Sequence, residues 1–478
     1  MSLKKNFFYN TIYQILILLL PMVTVPYISR VLGPQGIGEY SYTNSYAQYF
    51  VLLGMIGISL YGNRQIAYTK KNKEKMSLEF WNIYTLQLLT TILSLVVYII
   101  IFVIINKDNR LLYGVQAITI VSATFDISWF FIGYEDMKSV VLRNTIAKII
   151  GVLLIFILVK DSSDVVIYAA IMAITMLLGQ VIMWKELKGK VIYKKPCFKY
   201  MVKHLRPSLA LFISQLAMQV YVLLDRTMLG FMTNDSQVGL YDNSQKTIKL
   251  VLALVTSVGT VMLPRMSSLY SEGKMDEFKD MVYKAFSFIN FVAFPMTFGL
   301  LAISKDFSSW FYGPSFNGIQ ILLIIGSFLI LAISWSNILG IQVMLPMRME
   351  RQFTISVCVG AVVNVILNIL LIPTLFSLGT TFASVIAEFA VTLVQVLFLR
   401  KFVDLNKIIR TVWKPLAGSI IMMTVVFIVE KYIHINGILA TIVQTGIGII
   451  IYILVMAILK SSVLNFALKE IKSKIGGK

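Results

Sequence analysis

The sequence predicts an all-α integral membrane protein with fourteen transmembrane helices. Three observations predict this fold class: the composition, the length of the apolar runs and the placement of the basic residues. Of the 478 residues, 58% are hydrophobic and only 14% are charged, whereas a soluble domain contains about 45–50% apolar and about 25% charged residues. A soluble enzyme of this composition would expose large apolar patches, so the soluble class is excluded.

The apolar runs have the length of membrane-spanning helices. Each is about 20 residues long, which lets an α-helix cross about 30 Å of hydrocarbon. A transmembrane barrel would instead alternate apolar and polar residues over about ten positions, and the runs do not alternate. The predicted spans are roughly 7–29, 38–61, 81–105, 112–133, 145–159, 165–184, 208–231, 240–263, 281–304, 319–344, 354–372, 379–399, 414–430 and 437–459.

The basic residues orient these spans. With the N-terminus in the cytoplasm, 34 of the 43 Lys and Arg residues fall at the cytoplasmic ends of the spans and six at the outer ends. An excess of Lys and Arg in cytoplasmic connections is the usual determinant of membrane topology. The asymmetry therefore predicts an even number of spans, with both termini in the cytoplasm.

Two short motifs recur along the chain at a nearly constant offset. Gly38 and Tyr40 in the first hairpin recur as Gly239 and Tyr241, each 201 residues later. An Ile-Ser-Trp motif recurs as well, and its second tryptophan lies 206 residues after the first, at Trp129 and Trp335. Recurrence of two motifs in the same order indicates an internal structural repeat.

The repeat predicts two lobes of six spans each. Residues 1–207 form the N-terminal lobe, residues 208–400 form the C-terminal lobe, and residues 401–478 add two spans and a cytoplasmic tail. Because six is an even number, both lobes enter the membrane in the same direction and are related by a pseudo-two-fold axis along the membrane normal. Two such lobes would pack around a central cleft and rock between inward-open and outward-open states.

A polar face on the second span recurs with charge on the eighth. Its members share the spacing i, i+3, i+4, i+7, which places them on one side of a helix. Unpaired polar groups facing lipid are costly, so this face should line the cleft. For the lysines, the alternative is an ion pair four residues apart and a side chain that snorkels to the interface; for the serines it is hydrogen bonding between helices. The members are Ser41, Asn44, Ser45 and Gln48, followed by Asp242, Gln245, Lys246 and Lys249.

Five further charged residues lie in or beside the spans. Arg30 closes the first span and either reaches the cleft or anchors the interface, and Asp225 and Arg226 occupy the outer third of the seventh. Asp126 and Glu388 lie near the middle of the fourth and twelfth spans. Ionisable groups inside a membrane are usually functional or paired, so these two carboxylates either couple transport to a proton or cation or pair with cleft bases.

The resulting cleft is net basic and suits an anionic substrate. Lys and Arg make charge-assisted hydrogen bonds to phosphate oxygens, and Asn, Gln and Ser suit sugar hydroxyls. Tyr40, Tyr42 and Tyr46 can stack on sugar rings, although tyrosine is also common at membrane interfaces. This inventory describes a phosphorylated glycan carried on a lipid.

The sequence contains no catalytic or cofactor-binding motif. It has no GxxxxGK[ST] phosphate loop, no GxSxG elbow, no HExxH and no CxxC, and its two histidines, His204 and His434, lie in predicted polar connections. We therefore expect neither an enzyme nor a bound metal or cofactor, apart from a coupling proton or cation.

Several motifs resemble those of Wzx-type polysaccharide repeat-unit flippases, which belong to the multidrug/oligosaccharidyl-lipid/polysaccharide exporter superfamily. The resemblance runs from about residue 5 to 460 and implies a V-shaped bundle of two lobes in a bacterial plasma membrane. It further implies that cleft cations bind the pyrophosphate of an undecaprenyl-linked repeat unit, which passes from the inner to the outer leaflet, and that a polymerase and glycosyltransferases act in the same pathway. The motifs are Pro26-Tyr27-Ile-Ser-Arg30-Val-Leu-Gly33, Trp129-Phe-Phe-Ile-Gly133-Tyr-Glu135, Leu263-Pro264-Arg265-Met-Ser-Ser-Leu-Tyr270 and Asn364-Val-Ile-Leu-Asn368.

Three other functions remain as alternatives. A peptidoglycan-precursor flippase shares the fourteen spans and the cationic cleft. A cation-coupled multidrug antiporter of the same superfamily is disfavoured, because the first span has no carboxylate and the cleft is basic. A membrane glycan polymerase would need a large outer loop, whereas the longest predicted here, 305–318, is short. The sequence does not identify the glycan, the coupling ion or the oligomeric state.

Overall fold

The computed structural model describes residues 3–432 and 436–466, and every regular element in these ranges is helical. His434 and the end of the tail, 467–478, lie outside the described residues. The helices of the first part are α1 Leu3–Met55, α2 Ile58–Thr69, α3 Lys73–Tyr98, α4 Arg110–Thr124, α5 Ser128–Gly133, α6 Met137–Leu158, α7 Val165–Leu187 and α8 Phe198–Met232. Those of the second part are α9 Asp235–Ser271, α10 Met275–Tyr312, α11 Ile319–Gly326, α12 Phe328–Ser336, α13 Glu350–Leu399, α14 Leu405–Arg410, α15 Trp413–Tyr432 and α16 Ile438–Ile458.

Eight helical segments of the described chain are long and apolar enough to cross a membrane. This establishes the predicted class, a multi-pass helical membrane protein. Some segments join more than one element, because π-helical turns at Ile99–Ile105 and Asn337–Met344 continue α3 and α12. Another apolar helix, Asn144–Leu158, is shorter than the eight.

Two of the longest helices are each interrupted by a kink. Gly33 in α1 has φ +66°, a conformation that glycine adopts at no steric cost, and the proline that follows disfavours helical geometry at Gly33. In α13 the interruption lies at Phe376, with φ +52°. Each kink falls between two predicted spans, so a bend in a continuous helix, and not a loop, separates these predicted spans.

The contacts divide the chain into two compact units, Met1–Gly239 and Leu240–Lys478. The division lies near the start of α9, so α8 belongs to the first unit, whereas the sequence repeat assigns α8 to the second lobe. Local contacts explain the difference: the Ser208 hydroxyl donates a hydrogen bond to the Ile56 carbonyl over 2.6 Å, which holds α8 against the first unit. The sequence repeat and the spatial contacts define boundaries by different criteria. The predicted lobe boundary at residue 207 therefore stays a prediction.

The N-terminal part of α8 is held by a buried histidine. His204 Nδ1 lies 2.7 Å from the Tyr61 hydroxyl, and its Nε2 lies 3.4 Å from a carboxylate oxygen of Glu79. Burial lowers the pKa of His204, and the nearby carboxylate opposes this by a smaller amount. The sequence placed this histidine in a polar connection, which is wrong: it lies in the second turn of α8 and packs against α2 and α3.

The glycines of the first repeated motif contact each other inside the first unit. A Cβ atom on Gly38 would lie 1.6 Å from the Asp235 carbonyl oxygen, and one on Gly239 would lie 1.9 Å from the Pro34 carbonyl oxygen. Only a residue without a side chain fits at this backbone contact. The two glycines are therefore required by the close approach of the first hairpin to the segment that follows α8.

The tryptophans of the second repeated motif make equivalent hydrogen bonds in the two units. The Trp129 indole donates to Gln87 Oε1 over 2.9 Å, and the Trp335 indole donates to Asn290 Oδ1 over 2.7 Å. The acceptors lie on the long helices α3 and α10, and they are 203 residues apart in the sequence. A buried indole N–H needs an acceptor, and each unit supplies a side-chain amide.

In the second unit, α15 and α16 pack against α10. Met422, Tyr452 and Met456 form the buried core of this contact, and the Tyr452 hydroxyl donates a hydrogen bond to the Phe291 carbonyl over 2.7 Å. The two C-terminal helices thus have a defined place within the second unit.

Candidate functional site

On the polar face predicted for the second span, the serines are buried, whereas the amide side chains can contact a ligand. Ser45 is buried and donates to the Tyr42 carbonyl in its own helix over 2.6 Å, and Ser41 is buried as well. Asn44 is half-buried and donates to Gln116 Oε1 on α4 over 2.9 Å. Gln48 is half-buried, and its amide makes no hydrogen bond within the described chain. The amides are therefore the members of this face that can bind a ligand.

Gln116 is a site candidate that the sequence did not single out. Its side chain is fully buried, and its Nε2 has no hydrogen-bond partner among the described residues. A buried amide donor without an acceptor costs about 1–3 kcal/mol, so a ligand or water there would offset that cost. A glutamine inside a predicted span was the available signal, but its pairing with Asn44 could not be read from spacing.

The tyrosines of the first hairpin pack against other aromatic rings. The Tyr40 and Tyr168 ring centres are 4.8 Å apart, and the Tyr42 and Tyr46 hydroxyls are 3.0 Å apart. Tyr46 also contacts Phe102 at 4.8 Å between centres. The three tyrosines remain half-buried, so stacking on a sugar ring stays a prediction beside this structural role.

Asp225 and Arg226 occupy different environments on α8. Asp225 is 2% exposed, whereas Arg226 is half-buried, as expected for neighbours that point to different sides of a helix. The next residue, Thr227, shares a 3.2 Å hydrogen bond with the Tyr49 hydroxyl on α1. This contact brings Asp225 close to the polar face of the second span.

Arg30 lies at the end of the first segment of α1 and is exposed. Its Nη1 donates to the Pro26 carbonyl over 3.0 Å. The bond holds the guanidinium against its own helix. Both predicted roles, interfacial anchor and phosphate ligand, are compatible with this placement.

In the second unit, Asp242 and Lys246 form an ion pair with 2.7 Å between Nζ and Oδ2. This is the four-residue pairing that the spacing offered as the alternative to ligand binding. The Asp242 side chain is 1% exposed, but that of Lys246 remains 35% exposed. The lysine can therefore contact an anion without leaving its partner.

Gln245 and Lys249 extend this polar face of α9. Gln245 is 7% exposed, and its Nε2 has no partner among the described residues, while Lys249 is exposed one turn beyond Lys246. The second span carries uncharged residues at the corresponding positions, so the cations of the repeated face are confined to α9.

The two mid-span carboxylates have different local roles. Asp126 lies in the break between α4 and α5, where its Oδ1 accepts a 2.8 Å hydrogen bond from the Ser128 backbone N–H. Glu388 is 8% exposed on the second segment of α13, one turn after Ser384, whose hydroxyl is 3.1 Å from that of Tyr241. Asp126 thus stabilises a helix start. The described residues include no cluster of three or more His, Cys, Asp or Glu able to hold a metal ion.

Solved structures of transporters share this fold. The "Lipid II flippase MurJ, inward closed conformation" superposes with a TM-score of 0.75, at 18% identity over 95% of this chain and 98% of that chain. An inward-facing multidrug resistance MATE family transporter of the MOP superfamily superposes with a TM-score of 0.62, at 14% identity over 80% and 94%. These similarities establish the fold class of the chain.

Sequence comparisons identify the family. A protein of Escherichia coli (strain K12) named "Putative O-antigen transporter" is 25% identical over 414 residues, 84% of this chain and 97% of that protein. The family model described as "Polysaccharide biosynthesis protein" matches residues 3–270, and that of "Lipid II flippase MurJ" matches residues 137–452. Each model matches more than half of the chain. As its motifs predicted, the chain therefore belongs to the polysaccharide biosynthesis protein family, of the Wzx type.

Proposed function

We propose that the protein is a flippase that moves lipid-linked oligosaccharide repeat units from the inner to the outer leaflet for cell-surface polysaccharide biosynthesis. One observation carries the proposal: Lys246 and Lys249 lie one turn apart on a long helix of a membrane protein, and both remain accessible. A cation within the membrane is energetically costly unless it forms an ion pair or binds a substrate. A phosphate or pyrophosphate between lipid and sugar supplies an anion at the required depth.

We further propose that fourteen spans place both termini in the cytoplasm of a bacterial cell. The lobes at 1–207 and 208–400 then form a V-shaped cleft that opens alternately to the two leaflets. Transport changes no covalent bond, so the protein is not an enzyme. The carrier is undecaprenyl (pyro)phosphate, and a polymerase and glycosyltransferases of the same pathway are its functional partners.

The lipid part of such a substrate needs an apolar surface. The second unit contains a cavity of about 430 Å³ lined almost entirely by apolar side chains of α10, α15 and α16. Gly299 and Gly448 lie in its wall, where an added Cβ would come no closer than 3.8 and 3.6 Å to another atom. The cavity offers a polyprenyl chain an apolar environment as its headgroup crosses the membrane.

Transport in proteoliposomes tests the proposal. The purified chain is reconstituted with a fluorescent undecaprenyl-pyrophosphate-linked disaccharide, and translocation is followed by the accessibility of the sugar to an added lectin or quencher. We expect translocation that protein-free vesicles lack, and Lys249→Gln should slow it about 10-fold, as loss of one charge-assisted hydrogen bond predicts. Equal rates with and without the protein would refute the flippase assignment.

A peptidoglycan-precursor flippase is the second candidate. The match to the MurJ model over residues 137–452 favours it, and both substrates carry the same lipid pyrophosphate. The same vesicles distinguish the two functions when lipid II replaces the repeat-unit substrate. Faster movement of lipid II than of any repeat-unit analogue would favour the second candidate.

A further inference from the structure

A charged cavity lies at the predicted cytoplasmic end of the second unit, apart from the residues proposed for transport. It has a volume of about 530 Å³ and lies between the start of α10 and the connection from α13 to α14. Its cations are Lys279, Arg400, Lys401 and Lys407, and its carboxylates are Asp276, Asp280 and Asp404.

The carboxylates of this cavity are already engaged. Asp280 pairs with Lys284 at 2.6 Å. Asp404 accepts a 3.0 Å hydrogen bond from the Asn406 backbone N–H and so caps α14. Asp276 lies in the first turn of α10, where the helix dipole stabilises a negative charge. Among the described residues, none of the three forms an ion pair with a cation of the cavity.

The cations, by contrast, pair with no carboxylate in the part of the chain that the structure describes. Among the described residues, Lys279, Arg400 and Lys401 form no ion pair or side-chain hydrogen bond. The Lys407 ammonium lies 5.3 Å from the centre of the Tyr283 ring and pairs with no carboxylate of the described chain. The four cations outnumber the three carboxylates of the lining, so the cavity keeps a net positive charge that favours an anion.

The edge of the cavity has the character of a membrane interface. Phe402, Ile409 and Trp413 are 43%, 63% and 52% exposed on and beside the short helix α14. Exposed apolar side chains next to Lys and Arg are typical of segments that lie at the boundary between headgroups and acyl chains. A phosphate in the cavity would thus lie at headgroup depth.

We propose that this cavity binds a phosphate-bearing anion, with Lys279, Arg400 and Lys401 as its ligands. The phosphate comes either from an anionic phospholipid of the inner leaflet or from a free phosphate compound in the cytoplasm. Guanidinium and ammonium groups match phosphate oxygens by charge and geometry. The site goes beyond the proposed transport function, because it requires no glycan.

Native mass spectrometry of the purified full chain in a neutral detergent tests the site. The probes are dioleoyl-phosphatidylglycerol, dioleoyl-phosphatidylcholine and inorganic phosphate. We expect phosphatidylglycerol to bind at least about 10-fold more tightly than phosphatidylcholine. The triple variant Lys279→Gln, Arg400→Gln, Lys401→Gln should reduce this affinity about 100-fold, because each cation near a headgroup contributes about 5-fold.

Two matched variants control for folding and total charge. Lys279→Arg, Arg400→Lys, Lys401→Arg keeps the cavity charge and should bind phosphatidylglycerol within about 3-fold of the parent. Lys71→Gln, Lys75→Gln, Lys199→Gln removes the same charge from exposed lysines elsewhere and should also stay within about 3-fold. If the first triple variant does not fold, the single variants of the same residues take its place, each expected to lose about 5-fold.

The phosphate arm identifies the source of the anion. Displacement of phosphatidylglycerol by millimolar inorganic phosphate, but not by chloride at equal ionic strength, supports a site for free phosphate compounds. Lack of displacement supports the lipid headgroup. Equal losses in the cavity variant and the lysine control would overturn the proposal, as would phosphatidylglycerol binding that is unchanged when the cavity cations are removed.

Discussion

Replacing Lys246 by glutamine, alone and together with Asp242→Asn, separates the role of Lys246 as a substrate ligand from its role as an ion-pair partner. In the structure Lys246 contacts Asp242 at 2.7 Å and remains 35% exposed, so both roles are open to it. Lys249 is exposed on the same helix, three residues after Lys246. Removing each lysine in turn therefore changes substrate binding and folding to different extents.

Two magnitudes follow from the geometry. Loss of one charge-assisted hydrogen bond to phosphate costs about 1.5–3 kcal/mol, or about 10- to 100-fold in affinity. Breaking a fully buried ion pair costs about 3–5 kcal/mol of folding free energy. Because solvent reaches Lys246, the folding cost of Lys246→Gln should fall at or below the lower end of that range.

The assay measures glycan export and membrane abundance for the same set of variants. Lys246→Gln should lower both, since it leaves the Asp242 carboxylate without its cation. The double variant Asp242→Asn, Lys246→Gln should restore abundance but leave export about 10- to 100-fold lower. Lys249→Gln should lower export at normal abundance, and Lys246→Arg should retain part of the activity.

The double variant also provides the refuting result. If Lys246 serves only to neutralise Asp242, then removing both charges together restores export to the parent level. That outcome would reject Lys246 as a phosphate ligand. The exposed pair Lys274 and Glu272, 2.8 Å apart, is the matched control: neutralising it should change neither export nor abundance.

Three further predictions concern topology, coupling and packing. Single cysteines in 62–80 should be protected from a membrane-impermeant reagent in intact cells, and those in 305–318 should react, because the basic asymmetry places the first segment in the cytoplasm. The pair of changes Asp126→Asn and Glu388→Gln should slow transport or alter its pH dependence, because only an ionisable carboxyl can carry the coupling proton. Gly239→Ala should cost about 1–3 kcal/mol or more and lower abundance, since its Cβ would lie 1.9 Å from a carbonyl oxygen.

Each of these predictions has a control. The two native cysteines are exposed and must be replaced before labelling; reaction of 62–80 from outside an intact cell would reject the topology. Transport unchanged across pH in the carboxylate variant would leave both residues structural. Gly114→Ala is matched to the glycine change, because a Cβ there has no atom within 4 Å, and equal loss of abundance in both would contradict the packing argument.

Much of the candidate site was visible in the sequence as residues but not as contacts. The spacing of Asp242 and Lys246 offered two roles, and only the structure showed that the ion pair forms while the lysine stays accessible. Gln116 was missed because its significance depends on Asn44, which lies 72 residues away. His204 was placed wrongly because its burial depends on Tyr61 and Glu79, on two other helices.

The sequence by itself determined the class of protein, its helical content and its family. Membrane insertion depends on the summed transfer free energy of each run of residues, which composition reports directly. The motifs around Gly38 and Trp129 likewise predicted a repeat, and hydrogen bonds from Trp129 and Trp335 to side-chain amides are found in both units.

The tertiary structure decided which polar groups pair, which remain accessible and where charged cavities form. The cavity near Arg400 joins segments more than a hundred residues apart, and no local pattern brings them together. The sequence predicted separate spans on either side of Gly33 and Phe376, and only the structure showed that each pair forms one kinked helix. The physical reason is range: hydrophobicity and charge belong to each residue, whereas a hydrogen bond or an empty volume exists only once distant helices have packed.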